Sequence, residues 1–339
     1  MKLICILLFL PFINICVGQK TDFSIVKIGL PAEIEYYDNQ FSGMNINKDM
    51  LFLMSESRLQ DNREAKLYAI KTKDIDHKMD DTSFVLPFKK YIIKNIQLLR
   101  KRMEVLGDEY EGLEAMLMDD KKVYFTVETT TPSSNCYLLR GILMDSTVEL
   151  DVSFLSPLPK PITLENKHIY NAGFEAITMS DQTILSFFEY NWFEDKNVAI
   201  AISQSEYTGL MYQLPRIEKI PFRITDITKT SKNTFTAINF FYKGDGEDEV
   251  YRVPKTDKAN DKLIRDGFGY KSYCRLVKLK YKNSKFSWEP FWDFPVEYMS
   301  YNWEGIAAYK EGYFVINDKY TTARPYKSVL LYLEPSGSK

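Results

Sequence analysis

Apolar and polar positions follow a pattern that recurs five times along the chain. Phe41-Ser42-Gly43-Met44 precedes Leu51-Phe52-Leu53-Met54-Ser55-Glu56, and Tyr110-Glu111-Gly112-Leu113 precedes Val123-Tyr124-Phe125-Thr126-Val127-Glu128. Phe174-Glu175-Ala176-Ile177 leads to Ile184-Leu185-Ser186-Phe187-Phe188-Glu189, and Ile224-Thr225-Asp226-Ile227 to Phe235-Thr236-Ala237-Ile238-Asn239. The last copy is Trp303-Glu304-Gly305-Ile306 with Tyr313-Phe314-Val315-Ile316-Asn317-Asp318. Each copy reads bulky apolar, polar, usually small, aliphatic, then a turn and an apolar run ending on a carboxylate or amide. The step from aliphatic to terminal polar residue is 12 in four copies and 15 in the Glu128 copy, whose turn is longer. Self-similarity of this kind marks a repeat architecture.

The runs are short, aromatic and β-branched, bounded by Gly, Asp, Asn and Ser, which predicts strands. Further strands are expected at residues 136–144, 147–155, 198–204, 210–214, 249–254 and 273–281, with a hairpin at residues 243–246. Three or four antiparallel strands per copy is the plan of a β-propeller blade. Five copies argue for five blades, and the interval between Asn239 and Trp303 leaves room for a sixth. The last copy lacks strands of its own, so Phe23–Ile28 is expected to close the ring by pairing near residues 328–334.

Composition adds a destination. Lys2, residues 3–17 (apolar apart from Asn14) and Cys16-Val17-Gly18 read as a signal peptide over residues 1–18, leaving one propeller domain at residues 19–339. Export to the periplasm or exterior is expected; Ile15 stands where a lipoprotein needs a small residue before Cys16, so anchoring there is not. No other stretch is long enough to span a membrane. A net charge of −2 gives no footprint for nucleic acid, and the protein is expected to act as a monomer on a small molecule.

Candidate chemistry is limited by two histidines, His77 and His168, and two cysteines beyond the leader, Cys136 and Cys274, read as buried thiols. His77 falls in the charged run 71–81, expected to be a solvated loop. A serine triad or a His-based zinc site has little to build from. First strands of propeller blades line the channel, placing Ser42, Glu111, Glu175, Asp226 and Glu304 around the axis. Glu56, Glu128, Glu189, Asn239 and Asp318 are expected to form a second set on the same strands. Hard oxygen ligands suit calcium or magnesium, so the second set is the expected metal site, with Glu304, Glu111 and Glu175 as catalytic carboxylates. Arg58 and Lys319 are expected to meet an anionic substrate. The competing reading is that these residues tie blades together through backbone hydrogen bonds. Three plainer assignments complete the set: Asp245 to Glu249 as a solvated tip, Arg100-Lys101-Arg102 as a solvated face, and Trp288, Phe291, Trp292 and Phe294 as filling between blades.

At residues 41–58, 110–128, 223–242 and 302–306 with 315–320, the sequence resembles the bacterial phytase-like, esterase-like β-propeller domain family. The resemblance implies a secreted propeller associated with ester or phosphoester hydrolysis. Ser42 and Thr225 stand where other copies carry Glu. The expectation is therefore a metal-dependent hydrolase of ester or phosphoester bonds, with a non-catalytic propeller binding a small ligand or cell-surface partner as the alternative.

Overall fold

The computed structural model describes residues 22–36, 39–55, 65–205, 209–244, 247–318 and 327–336. The leader, Glu56, Arg58, Lys319 and the Asp245–Gly246 tip lie outside them. Strand β1 (Phe23–Ile28) is followed by the first antiparallel meander: β2 (Phe41–Asn47), β3 (Met50–Ser55), β4 (Lys66–Lys71) and β5 (Lys89–Lys94). The second is β6 (Tyr110–Asp119), β7 (Lys122–Thr129), β8 (Asn135–Leu143) and β9 (Thr147–Pro159). The third is β10 (Ala176–Ser180), β11 (Thr183–Phe187), β12 (Ala199–Ser205) and β13 (Gly209–Gln213). After the short β14 (Arg216–Ile217), the fourth runs through β15 (Arg223–Ser231) and β16 (Thr234–Phe241). An excursion bearing β17 (Arg265–Asp266) and β18 (Gly269–Tyr270) intervenes before β19 (Tyr273–Lys282) and β20 (Lys285–Asp293) complete it.

The last meander is β21 (Trp303–Tyr309), β22 (Gly312–Asn317) and β23 (Leu330–Pro335), with β1 as its outer strand, Phe23 opposite Pro335 and Ile28 opposite Leu330. The first strands touch in a closed circuit, β2 to β6 to β10 to β15 to β21 and back to β2. The architecture is a β-propeller. Its core lies between meanders, where Phe52, Phe125, Phe188, Phe235, Phe286 and Trp303 are almost wholly buried.

Register explains the motif. In the first, second and last copies the second residue is bulged out of the first hairpin: Ser42, Glu111 and Glu304 fall between paired neighbours. In the fourth copy the bulged residue is Thr225, and Asp226 pairs with Ile238. The small third position follows from crowding. A Cβ on Gly305 would sit 2.6 Å from Ile316 Cγ2 and 3.0 Å from Met44 Cβ, and one on Gly43 would sit 3.1 Å from Met116 N.

Two expectations are corrected. Residues 249–254 form no strand: a 3₁₀ turn, Glu247–Tyr251, precedes a helix at Lys258–Ile264 in which Asn260 N donates to the Asp257 carboxylate at 3.2 Å. The run 71–81 is a helix, Thr72–Asp80, because Thr72 and Ile75 share one face and are buried. Arg100 to Arg102 ride on a helix, Ile96–Leu106, that buries Ile96, Leu99 and Met103 and stops at Gly107, φ +82°. Parallel pairing of β5 with β9, Ile92 opposite Thr147, fuses the first two meanders into one eight-stranded sheet. Cys136 and Cys274 are free and buried, Cys136 pushed up to about 12 chiefly by burial. Trp292 and Phe294 pack with Phe23 and Trp303 between meanders. No helix among the described residues is long and apolar enough to cross a membrane.

Candidate functional site

Bulged residues do two jobs according to length. Ser42 Oγ donates to the Leu113 carbonyl at 3.0 Å and Thr225 Oγ1 to the Trp303 carbonyl at 2.6 Å, each reaching the next meander. Both are buried. Glu111 and Glu304, and Glu175 just before β10, are longer and only half-buried. Tying meanders together thus accounts for the hydroxyls, while the glutamates stand at the end of the channel where the first strands begin.

Behind them lie deeper carboxyls. Glu128 and Glu189 are 4% and 0% exposed, and Glu114, at a second bulge of β6, is 7% exposed. Because β6 starts where β7 ends, Glu111 and Glu128 meet at the same end, so both predicted polar sets share it. Burial, then the charges of Glu114, Glu111, Glu189 and Glu175, push the Glu128 carboxyl well above its ordinary range. Glu189 is likewise raised by burial first and the charge of Glu175 second, against the opposing pull of Arg223. Gly173 makes room: a Cβ there would meet Glu128 Oε1 at 3.2 Å. Its N–H donates to Glu189 Oε1 at 3.3 Å.

One guanidinium organises the cluster. Arg223 Nη1 lies 3.5 Å from Glu189 Oε2, and its Nη2 donates to Asn302 Oδ1 at 3.4 Å. Burial alone would disfavour its charge, but Glu175, Glu189, Tyr251 and Glu304 more than offset that and hold it protonated. Asn302 donates in turn to Glu304 and, at 3.4 Å, to Asp318 Oδ2. Tyr251, buried, presents its ring to Arg223 at 5.7 Å and its hydroxyl toward Glu189.

The predicted second set is therefore not one set. Asn239 Nδ2 donates to the carbonyls of Pro221 at 2.7 Å and Arg223 at 3.0 Å, and its Oδ1 accepts from Arg275 Nε at 2.8 Å. It fixes the backbone beneath Arg223 and has no oxygen to offer a cation. The common step of 12 misplaced it, because the β15–β16 hairpin carries an extra bulge between Lys229 and Ser231. Asp226 is also withdrawn: its carboxylate accepts from Ile306 N at 2.7 Å and Ile227 N at 2.8 Å, with Met44 N as a third donor. It knits three meanders at the axis. Among the described residues no group of three or more His, Cys, Asp and Glu is placed to hold a metal ion.

Arg223, Asn302, Tyr251 and Glu114 were not read from the sequence. Arg223 and Asn302 occupy one position, immediately before the bulky apolar residue of their copies, so a polar residue there was the available signal. Tyr251 had none, since it enters from the excursion between β16 and β19.

No family model matches the chain, and no curated protein matches it in sequence. Among solved structures, it is similar to a GH43 β-xylosidase/α-arabinofuranosidase from a compost microbial metagenome, with 7% identity over 92% of this chain and 94% of that one, TM-score 0.47. RS223-β-xylosidase is 7% identical over 90% and 94%, TM-score 0.46. A putative oxidoreductase (glucose dehydrogenase) from Thermus thermophilus is 10% identical over 92% and 99%, TM-score 0.45. Likeness this faint carries nothing about chemistry, and the architecture rests on the strand pairing.

Proposed function

We propose that this is an exported hydrolase working by carboxylate acid–base chemistry at one end of a five-bladed channel. One observation carries the reading: a half-open glutamate, Glu175, stands before a buried, proton-retaining carboxyl, Glu189, with the Arg223 guanidinium facing both. Titratable groups whose surroundings separate their proton affinities are what acid–base hydrolysis needs. Glu175, faced by Arg223, takes the base role. Glu128, in the half of the cluster away from the guanidinium, keeps a proton for the leaving group and passes it through Glu111 at the open end. Asn302 positions Arg223 against Glu304.

The bond class follows from charge. Beyond the proton-retaining Glu128 and Glu189, four glutamates (Glu111, Glu114, Glu175 and Glu304) still outnumber Arg223, which argues against a phosphate dianion and the phosphoester half of the expectation. A neutral acetal or ester suits the site, and an acetal suits it best, since its cleavage uses one carboxylic acid and one carboxylate. Glu175→Gln is expected to lower turnover of neutral aryl glycosides by about 100-fold or more while leaving Tm nearly unchanged, measured with a chromogenic panel that includes aryl esters and phosphates. Activity on aryl phosphates alone would sink the acetal reading. The second reading, a non-catalytic propeller that binds a cation such as calcium or a cationic ligand, is favoured by the same crowding of carboxylates. It is distinguished by a Tm that falls with chelator and recovers with calcium.

A further inference from the structure

A cavity of about 470 Å³ opens beside the acidic cluster, between residues 163–170, residues 190–194 and Val250. Its wall is aromatic. Tyr190 packs edge-on against Phe193 at 4.8 Å and against Tyr251 at 5.8 Å. Trp192 lines it with Lys219 over one ring face at 5.5 Å, and Tyr170 lines it while 57% exposed. Rim charges cancel locally: Lys167 pairs with Glu165 at 3.2 Å and Lys219 with Glu194 at 2.8 Å. The cavity thus presents apolar ring faces within a polar but neutralised rim, with His168 and Thr163 adding polar edges.

Placement links it to the cluster. Tyr190 follows Glu189 in the chain, and Tyr251 touches Tyr190 with its ring while turning its hydroxyl toward Glu189. The aromatic wall is therefore joined to the buried Glu189 by the chain itself and through Tyr251. The chemistry of a ligand there must combine flat apolar faces for stacking with many uncharged hydroxyls for the rim. An anion would meet the glutamate cluster, and a purely apolar group would strand the rim.

We propose that this cavity binds a ring of a neutral oligosaccharide, holding the chain whose neighbouring bond is presented to Glu175. Its link to turnover rests on the acid–base reading above; the binding itself does not. The test is calorimetric titration of the whole protein with maltotriose, cellotriose, xylotriose and chitotriose, with a proline-rich peptide as the rival ligand. At least one trisaccharide is expected to bind, and Trp192→Ala and Tyr170→Ala are each expected to weaken it about tenfold, or ~1.4 kcal/mol. Tyr170 is exposed enough that its loss should spare the fold, which keeps the test valid if Trp192→Ala is unstable. No binding by any of the four, binding indifferent to both aromatic variants, or binding of the peptide alone overturns the proposal. Loss of binding on Trp192→Ala in a protein that turns over nothing would uphold the cavity and defeat the hydrolase. Turnover that needs Glu175 but ignores both aromatics would do the reverse.

Discussion

At the scale of single residues, side-chain length at one bulged position separates structure from chemistry. Ser and Thr reach only the adjacent carbonyl, whereas Glu passes it and arrives at the channel end. The polar pattern was legible in the sequence, but its division into struts and site was not, because that depends on which hydrogen-bond partners fold within reach. Asn239 illustrates the difference: it looked like a ligand by spacing, yet its removal would strand two carbonyls and a buried guanidinium, at a cost of about 2–3 kcal/mol. The buried glutamates also set a pH dependence. With the Glu128 and Glu189 carboxyls raised well above the ordinary glutamate range, the folded protein keeps protons that the unfolded chain has released. Their contribution is full at low pH and is lost as pH rises through the folded-state range. Tm is expected to fall as pH rises above the ordinary glutamate range, and to fall less steeply in Glu128→Gln; equal slopes in the two proteins would contradict this.

At the scale of elements, alternation and turn residues located the hairpins within a residue or two, because strands buried on both faces need continuous apolar runs. Hairpin length was the weak point. A single extra residue at the β15 bulge between Lys229 and Ser231 moved Asn239 one place off the position its spacing implied. Excursions were illegible for another reason: Pro254 and Asp257 break a run that otherwise reads as strand and start a helix instead. The β21–β22 turn allows a direct test. Gly312 has no room for a side chain, since a Cβ would lie 2.1 Å from the Leu333 carbonyl oxygen. Gly312→Ala is expected to cost about 3 kcal/mol in urea unfolding, as overpacking does. Gly269→Ala, whose nearest neighbour would be 3.7 Å away, should cost far less. Similar midpoints for the two variants would refute the crowding argument.

At the scale of the whole molecule, the ring depends on its first strand. Closure by residues 23–28 was legible because the last copy lacked a partner for its outer edge, and the pairing runs unbroken from Phe23 to Ile28. Deleting residues 22–28 bares β23, so Tm should drop by far more than the ~2–4 °C that one kcal/mol moves in a large domain. Self-association through the exposed edge should appear in size-exclusion chromatography. A smaller change with no association would mean that the ring closes without β1. The seam between β5 and β9 has a different consequence. Ile92 and Ile93, on what would be a fraying outer strand, are bonded on both sides, so their amides should exchange as slowly as those of inner strands. The first two blades then move as one stiff plate, and any breathing of the molecule is left to the other joints. Glu111, Glu114 and Glu128 ride on that plate; Glu175, Glu189 and Arg223 do not. A small rocking of the remaining blades would alter the spacing between Glu128 on the plate and Glu175 and Glu189 off it, whose charges help hold its proton, making mechanical compliance a setting for how tightly that proton is kept.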